Sequence, residues 1–176
     1  MILGIDVGLT GAVAVFSDEG TPIEVYDVPT MANGKNARRV KWQVNAGALS
    51  HGLWDRLMRE YNTPKETTAY VEQQAPMPAQ GVSSVFSLGH SLGTVQAVLA
   101  AIGIPFLMVQ PQEWKKHFKL QHTDKDASRT LAIRLFPTME LHLKKHHNRA
   151  EALLIGSYGV ARERGGVHVT DDVDEV

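Results

Sequence analysis

A chain of 176 residues with 43% hydrophobic and 21% charged residues has enough apolar side chains for one complete core, and too few charges for a disordered segment. The absence of cysteine excludes disulfides and thiolate metal sites. The net charge of −1 conceals a split, with nine Lys and Arg against three Asp and Glu between Lys115 and Arg149, offset by Asp171, Asp172, Asp174 and Glu175 near the end.

Such a basic half suits a polyanionic partner, although a solvated charged surface gives the same pattern. No apolar run in the sequence approaches the length of a membrane span, and Met1 leads directly into the first predicted strand. The expectation is a cytoplasmic protein without a membrane partner, with one domain over 1–165 and an acidic tail over 166–176.

Ile2 to Val7 reads as a buried strand, Gly8 and Gly11 bracket a tight turn, and Ala12 to Phe16 reads as a returning strand. Asp6 interrupts this apolar run. A carboxylate there is costly to bury without a cation or hydrogen bonds, which points to a metal or phosphate site; an aspartate capping the turn is the plainer alternative. Ile23 to Val28 gives a third strand, completing an antiparallel meander. Thr30 to Val44, with Asn33-Gly34 and Arg38-Arg39, lacks periodicity and reads as a mobile basic loop.

Ala46, Leu49, Leu53, Leu57 and Tyr61 recur at helical spacing and predict a helix over 45–61. Thr67 to Glu72 is a further strand that ends on a second embedded acid. Past the Pro-rich loop over 75–81, Ser83 or Ser84 is expected to cap a helix to about Ile102. Phe106 to Val109 is a strand, and Pro111 opens a short helix. Thr123 and Asp126 resemble a capping box for a helix over 124–136, and a last helix is predicted from about Asn148 to Arg164. This order is an α/β layered domain with a mixed five-stranded sheet, a meander plus parallel strands, flanked by helices.

The chemistry is expected where acids from separate elements meet. If the strands of Asp6 and Glu72 are neighbours, both emerge at one sheet edge, and Glu151 in the first turn of the last helix supplies a third carboxylate. Such a group is self-repelling without divalent cations, and hard oxygen ligands suit Mg²⁺ or Mn²⁺. Two such ions about 3.5–4 Å apart activate water and stabilise the leaving oxygen of a phosphodiester. The alternatives are a simple capping box from Asn148 and Glu151, and solvated His146 and His147.

These residues carry a resemblance. Gly4-Ile-Asp-Val-Gly-Leu-Thr-Gly11, Tyr70-Val-Glu-Gln73 and Arg149-Ala-Glu-Ala-Leu-Leu-Ile155 resemble the three acidic motifs of the RuvC-like Holliday junction resolvases of the RNase H-like superfamily, especially the small phage-encoded ones. The segments over 79–89, 111–116 and 124–129 are similar to the phage subgroup, so the likeness covers Met1 to about Arg162. It implies an RNase H-like fold and a homodimer that nicks two strands of like polarity in four-way or otherwise branched DNA, leaving 5′-phosphate and 3′-hydroxyl ends. It further implies a metal site of Asp6, Glu72 and Glu151 holding two Mg²⁺ ions, with Mn²⁺ as a substitute.

Relatives often place an acid shortly before the helix carboxylate. Here His146, His147 and Asn148 stand in that region, and His147 is the expected fourth catalytic and metal-binding group. Lys115, Lys116, Lys125, Arg129 and Arg149 are the expected DNA contacts. The helix from Ser84 to Ile102, with small residues such as Gly89 and Gly93, matches the dimer helix. Ala75 stands where bacterial members often carry a base-stacking aromatic, which leaves Met77 or Phe86 to open a junction.

Two other readings compete. A junction-binding protein with an incomplete metal centre would explain the absence of the fourth acid. Gly89-His-Ser-Leu-Gly93 satisfies the G-x-S-x-G pattern of serine hydrolases with Ser91 as nucleophile, but that motif needs a strand and a sharp turn, and Ser91 falls inside a predicted helix.

Overall fold

In the computed structural model, residues 1–34, 41–60, 66–123 and 126–165 are described. Lys125, Asp124, Arg38-Arg39 and the acidic tail over 166–176 lie outside the described residues. Strands β1 (Ile2–Asp6), β2 (Ala12–Phe16) and β3 (Pro22–Asp27) form the predicted meander. The region predicted as a loop instead holds an antiparallel pair, β4 (Thr30–Asn33) and β5 (Lys41–Val44). This pair hides from pattern reading because Met31 and Trp42 are exposed, so burial does not alternate along it.

Helix α1 (Ala46–Glu60) precedes β6 (Thr68–Glu72), α2 (Val82–Ala101) and β7 (Phe106–Val109). The chain ends with α3 (Pro111–His117), α4 (Ala127–Leu135), a 3-10 turn over Lys144–His146 and α5 (His147–Gly165). The five-stranded sheet has the order β3-β2-β1-β6-β7, with β6 parallel to both its neighbours.

Side chains alternate across a strand, and that alternation divides the core. Leu3, Ile5, Val13, Val15, Ala69 and Val71 pack with α1 and α2 on one face. Ile2, Ala14, Phe16 and Tyr70 pack with Trp114 of α3, Ala132 of α4 and Leu153 of α5 on the other. Asp6 and Glu72 fall at even positions and so belong to the α5 face.

Helix α5 lies directly on β1. A Cβ at Gly4 would meet the carbonyl oxygen of Ala152 at 2.2 Å and the Gly156 nitrogen at 2.3 Å. Only glycine permits that approach, and it brings the first turn of α5 to the end of β1.

Several predicted caps differ from those found. Helix α2 starts at Val82 with Gly81 as N-cap and no side-chain cap. Helix α4 is described from Ala127, with the Asp126 carboxylate held by Arg129 at 2.8 and 2.9 Å; the start predicted at Asp124 lies outside the described residues. The box found is at α3, between Gln110 and Glu113 with Pro111 at the first turn. The reading that no apolar run approaches a membrane span is corrected by α2, whose 20 residues are long and apolar enough by length and composition. Interspersed Ser, Gly and His residues mask this in the sequence. Val95, Val98 and Leu99 of α2 are core residues, whereas Val82 and Phe86 are exposed.

Candidate active site

Parallel pairing of β1 with β6 runs from Ile2 opposite Thr68 to Ile5 opposite Val71. Continued by one residue, that register sets Asp6 level with Glu72, on strands about 4.8 Å apart. Both carboxylates are nearly closed to solvent, at 6% and 7% exposure. Burial, then repulsion from Glu72 and Glu151, pushes the Asp6 carboxyl well above its ordinary range, with Lys115 acting in the opposite direction. Glu72 is also raised, first by burial and then by Glu151, against hydrogen bonds from Trp114 and Gln74 and the charge of Lys115.

The three predicted acids therefore share one electrostatic neighbourhood. Trp114 Nε1 donates to Glu72 Oε1 at 3.0 Å and Gln74 Nε2 donates to Oε2 at 2.7 Å. Ser128 Oγ donates to Glu151 Oε1 at 3.4 Å. Glu151 is half-buried and closes no capping box with Asn148. Instead the Asn148 amide donates to the backbone carbonyl of Thr10 and, at 2.8 Å, to Thr10 Oγ1, tying α5 to the β1–β2 turn.

His147 is exposed at the first position of α5, one turn before Glu151 and on the same side of the helix. The charges acting on Asp6 come from Glu72, Glu151 and Lys115, and the residue of this stretch that reaches the β1–β2 turn is Asn148. Trp114, Ser128 and the Thr10–Asn148 link escaped the sequence reading. A tryptophan in a short amphipathic helix reads as core, and its acceptor lies 42 positions away.

The predicted DNA contacts separate into two groups. Lys115 acts on the acids, and its ammonium lies 5.1 Å from the centre of the Trp114 ring. Lys116 is exposed. Arg129 is instead engaged by Asp126 and by the carbonyls of Leu141 and His142. Arg149 is engaged by Asp27 at 2.6 and 2.9 Å and by Glu140 at 3.2 Å. Both guanidinium groups brace the fold around α5.

The start of α2 and the β4–β5 pair enclose a groove of about 480 Å³ lined by Leu9, Trp42, Phe86 and His90, among others. Phe86 is 74% and Trp42 54% exposed. Ser91, in contrast, is buried within α2 and donates to the Ser87 carbonyl at 2.9 Å. That helical setting lacks the strand-to-helix turn a nucleophilic serine needs.

The acids present hard oxygen donors whose mutual repulsion a divalent cation would relieve, so this residue set fits such an ion. No family model matches the chain. Over 150 aligned residues, 77% of the chain, it is 29% identical to the chloroplastic Holliday junction resolvase MOC1 of Chlamydomonas reinhardtii, of which it spans 17% of the length. Its fold is similar to Thermus thermophilus RuvC, with a TM-score of 0.54 at 17% identity over 93% of this chain and 96% of that one. The T. thermophilus RuvC complex with a Holliday junction substrate matches over the same shares with the same TM-score at 15% identity. The yeast mitochondrial Holliday junction resolvase Ydc2 matches with a TM-score of 0.50 at 14% identity, over 95% and 80% of the two chains. The chain has the RNase H-like fold of these structures.

Proposed function

We propose that the chain is a metal-dependent, structure-selective endodeoxyribonuclease that resolves four-way DNA junctions by paired nicks. The observation that carries this reading is the mutual repulsion felt among Asp6 and Glu72 at the ends of neighbouring strands and Glu151 in the first turns of α5, with Lys115 acting on the same group. The likeness to MOC1 and RuvC supports the choice of branched DNA as substrate.

In this reading the three carboxylates hold two Mg²⁺ ions, replaceable by Mn²⁺, with His147 as the fourth group. Bound there, the ions supply an activated water and stabilise the leaving oxygen. By the resemblance to the RuvC-like resolvases, Asp6 would contribute to both ion positions, with Glu72 and Glu151 each completing one side. Trp114 and Gln74 fix the orientation of Glu72 and favour its ionised form. Lys115 neutralises phosphate charge at the scissile strand, and Lys116 adds a backbone contact. Lys125, Arg129 and Arg149 stay in the proposal as contacts that bound DNA would recruit. The protein acts in the cytoplasm, that of a host cell if it is encoded by a phage.

A second copy covers α2. Val82 and Phe86 are exposed near its start, and an added Cβ at Gly89 or Gly93 meets nothing within 4 Å, which leaves room for a closely approaching helix. Sedimentation that reports only monomer at micromolar concentration contradicts this dimer.

Asp6→Asn tests the mechanism. Nicking of a synthetic four-way junction is expected to fall at least a thousandfold while junction binding stays within about twofold, because one lost carboxylate disrupts metal placement and leaves the basic surface intact. Wild-type cleavage by that variant contradicts the mechanism. One observation favours the binding-only reading, the neutral Asn148 where an acid would extend the group. Junction binding without nicks in either Mg²⁺ or Mn²⁺ would establish it.

A further inference from the structure

We propose that Glu140, His142 and His146 form a second cation site, for a borderline transition metal such as Zn²⁺, separate from the three carboxylates. Each residue offers a ligand atom within 4.8 Å of those of the other two. The two imidazole rings meet edge to face, 5.5 Å between centres. Glu140 and His142 are exposed, whereas His146 is 3% exposed. Its Nδ1 is sealed from solvent with no hydrogen-bond partner. A buried ring nitrogen left unpaired is unfavourable, and a metal bound at that nitrogen satisfies it.

Two imidazoles and one carboxylate match the three-ligand Zn²⁺ set with one open position. That set is softer than the all-oxygen group of Asp6, Glu72 and Glu151, so the two sites select different ions. Tetrahedral bonds of about 2.0–2.1 Å require ligand atoms about 3.3 Å apart. Rotation of the exposed Glu140 and His142 side chains closes the difference. The segment that carries them is pinned by Arg129, whose Nη1 donates to the carbonyls of Leu141 and His142 at 3.3 and 3.4 Å.

Glu140 also accepts a bond from Arg149 at 3.2 Å. Arg149 keeps both its bonds to Asp27 when Glu140 turns away. The positive charges of Arg149 and Lys145 oppose a cation at this place and keep its affinity moderate. Separation from the catalytic group is visible in the electrostatics. His146 couples to Arg149, Glu140, Lys145, His142 and Asp27, and Asp6 to Glu72, Glu151 and Lys115. Because His146 ends the 3-10 turn that leads into α5, an ion here braces the helix turn carrying Asn148 and Glu151.

Calorimetric titration of the full chain with Zn²⁺, and visible absorption with Co²⁺, test this in an Asp6→Asn/Glu72→Gln background. A single Zn²⁺ per chain is expected, with a Co²⁺ spectrum typical of four-coordinate nitrogen and oxygen ligands. His142→Ala and Glu140→Gln, both at exposed positions, are expected to weaken binding at least tenfold while the chain stays folded. At a hundredfold excess over Kd, Zn²⁺ should raise the Tm by about 5 °C or more. Unchanged Zn²⁺ affinity in His142→Ala, or wild-type Zn²⁺ binding that disappears in the Asp6→Asn/Glu72→Gln background, would overturn the assignment.

Discussion

Glu72 illustrates how much of the candidate site the sequence makes legible. As an acid ending an apolar strand it is visible from pattern alone, as is Asp6, because each breaks a run that otherwise reads as core. What holds it is not visible. The indole of Trp114 reads as a buried aromatic, and nothing local in the chain marks its Nε1 as a donor to a carboxylate 42 positions earlier. Since that bond favours the ionised acid, its loss raises the Glu72 pKa further. In Trp114→Phe the acid limb of the pH–rate profile is expected to move to higher pH, with a stability loss on the order of 1–3 kcal/mol from the unpaired buried group. A profile that coincides with wild type would remove Trp114 from the site. The stretch before Glu151 shows the same division between what is visible and what is not. His147 stands out as an ionisable residue, but the side chain engaged with the β1–β2 turn is the neutral Asn148.

Among elements, α5 depends on contacts that residue type alone half reveals. Its register on β1 is set by glycines. A Cβ at Gly156 would lie 2.5 Å from the Phe16 ring and 3.2 Å from the Gly4 nitrogen. Gly156→Ala must push the helix off β1, and with it the turn that holds Glu151. Loss of about 1–3 kcal/mol of stability is expected, accompanied by reduced nicking; unchanged thermal unfolding and full activity would show that the packing yields easily. The meander, β6 and β7 were legible because their burial is strong and their turns are marked by Gly and Pro. The β4–β5 pair was not, since a two-stranded ribbon with exposed Met31 and Trp42 buries too little to impose a period on its sequence.

For the whole molecule, gathering carboxylates at a sheet edge sets function against stability. Asp6 ordinarily ionises near 3.8, and burial together with Glu72 and Glu151 raises it well above that value in the fold. Between those two values the native state binds more protons than the unfolded chain, so stability falls as pH rises through this window. Above the folded pKa the penalty is complete, and below about pH 3.8 it is absent. Metal-free Asp6→Asn is therefore expected to melt higher than metal-free wild type at pH 7.5, by about 2–4 °C per kcal/mol relieved. The difference should shrink as pH falls toward 4; a variant less stable at both pH values would contradict the electrostatic account.

The same scale holds the central claim, that this fold and this acidic edge act on branched DNA. Nicking of a synthetic four-way junction, compared with duplex of the same sequence in Mg²⁺ and in EDTA, tests it most directly. The prediction is symmetric paired nicks with 5′-phosphate ends on the junction, none on the duplex, and none in EDTA. Equal cutting of junction and duplex, or cutting that survives EDTA, would contradict it.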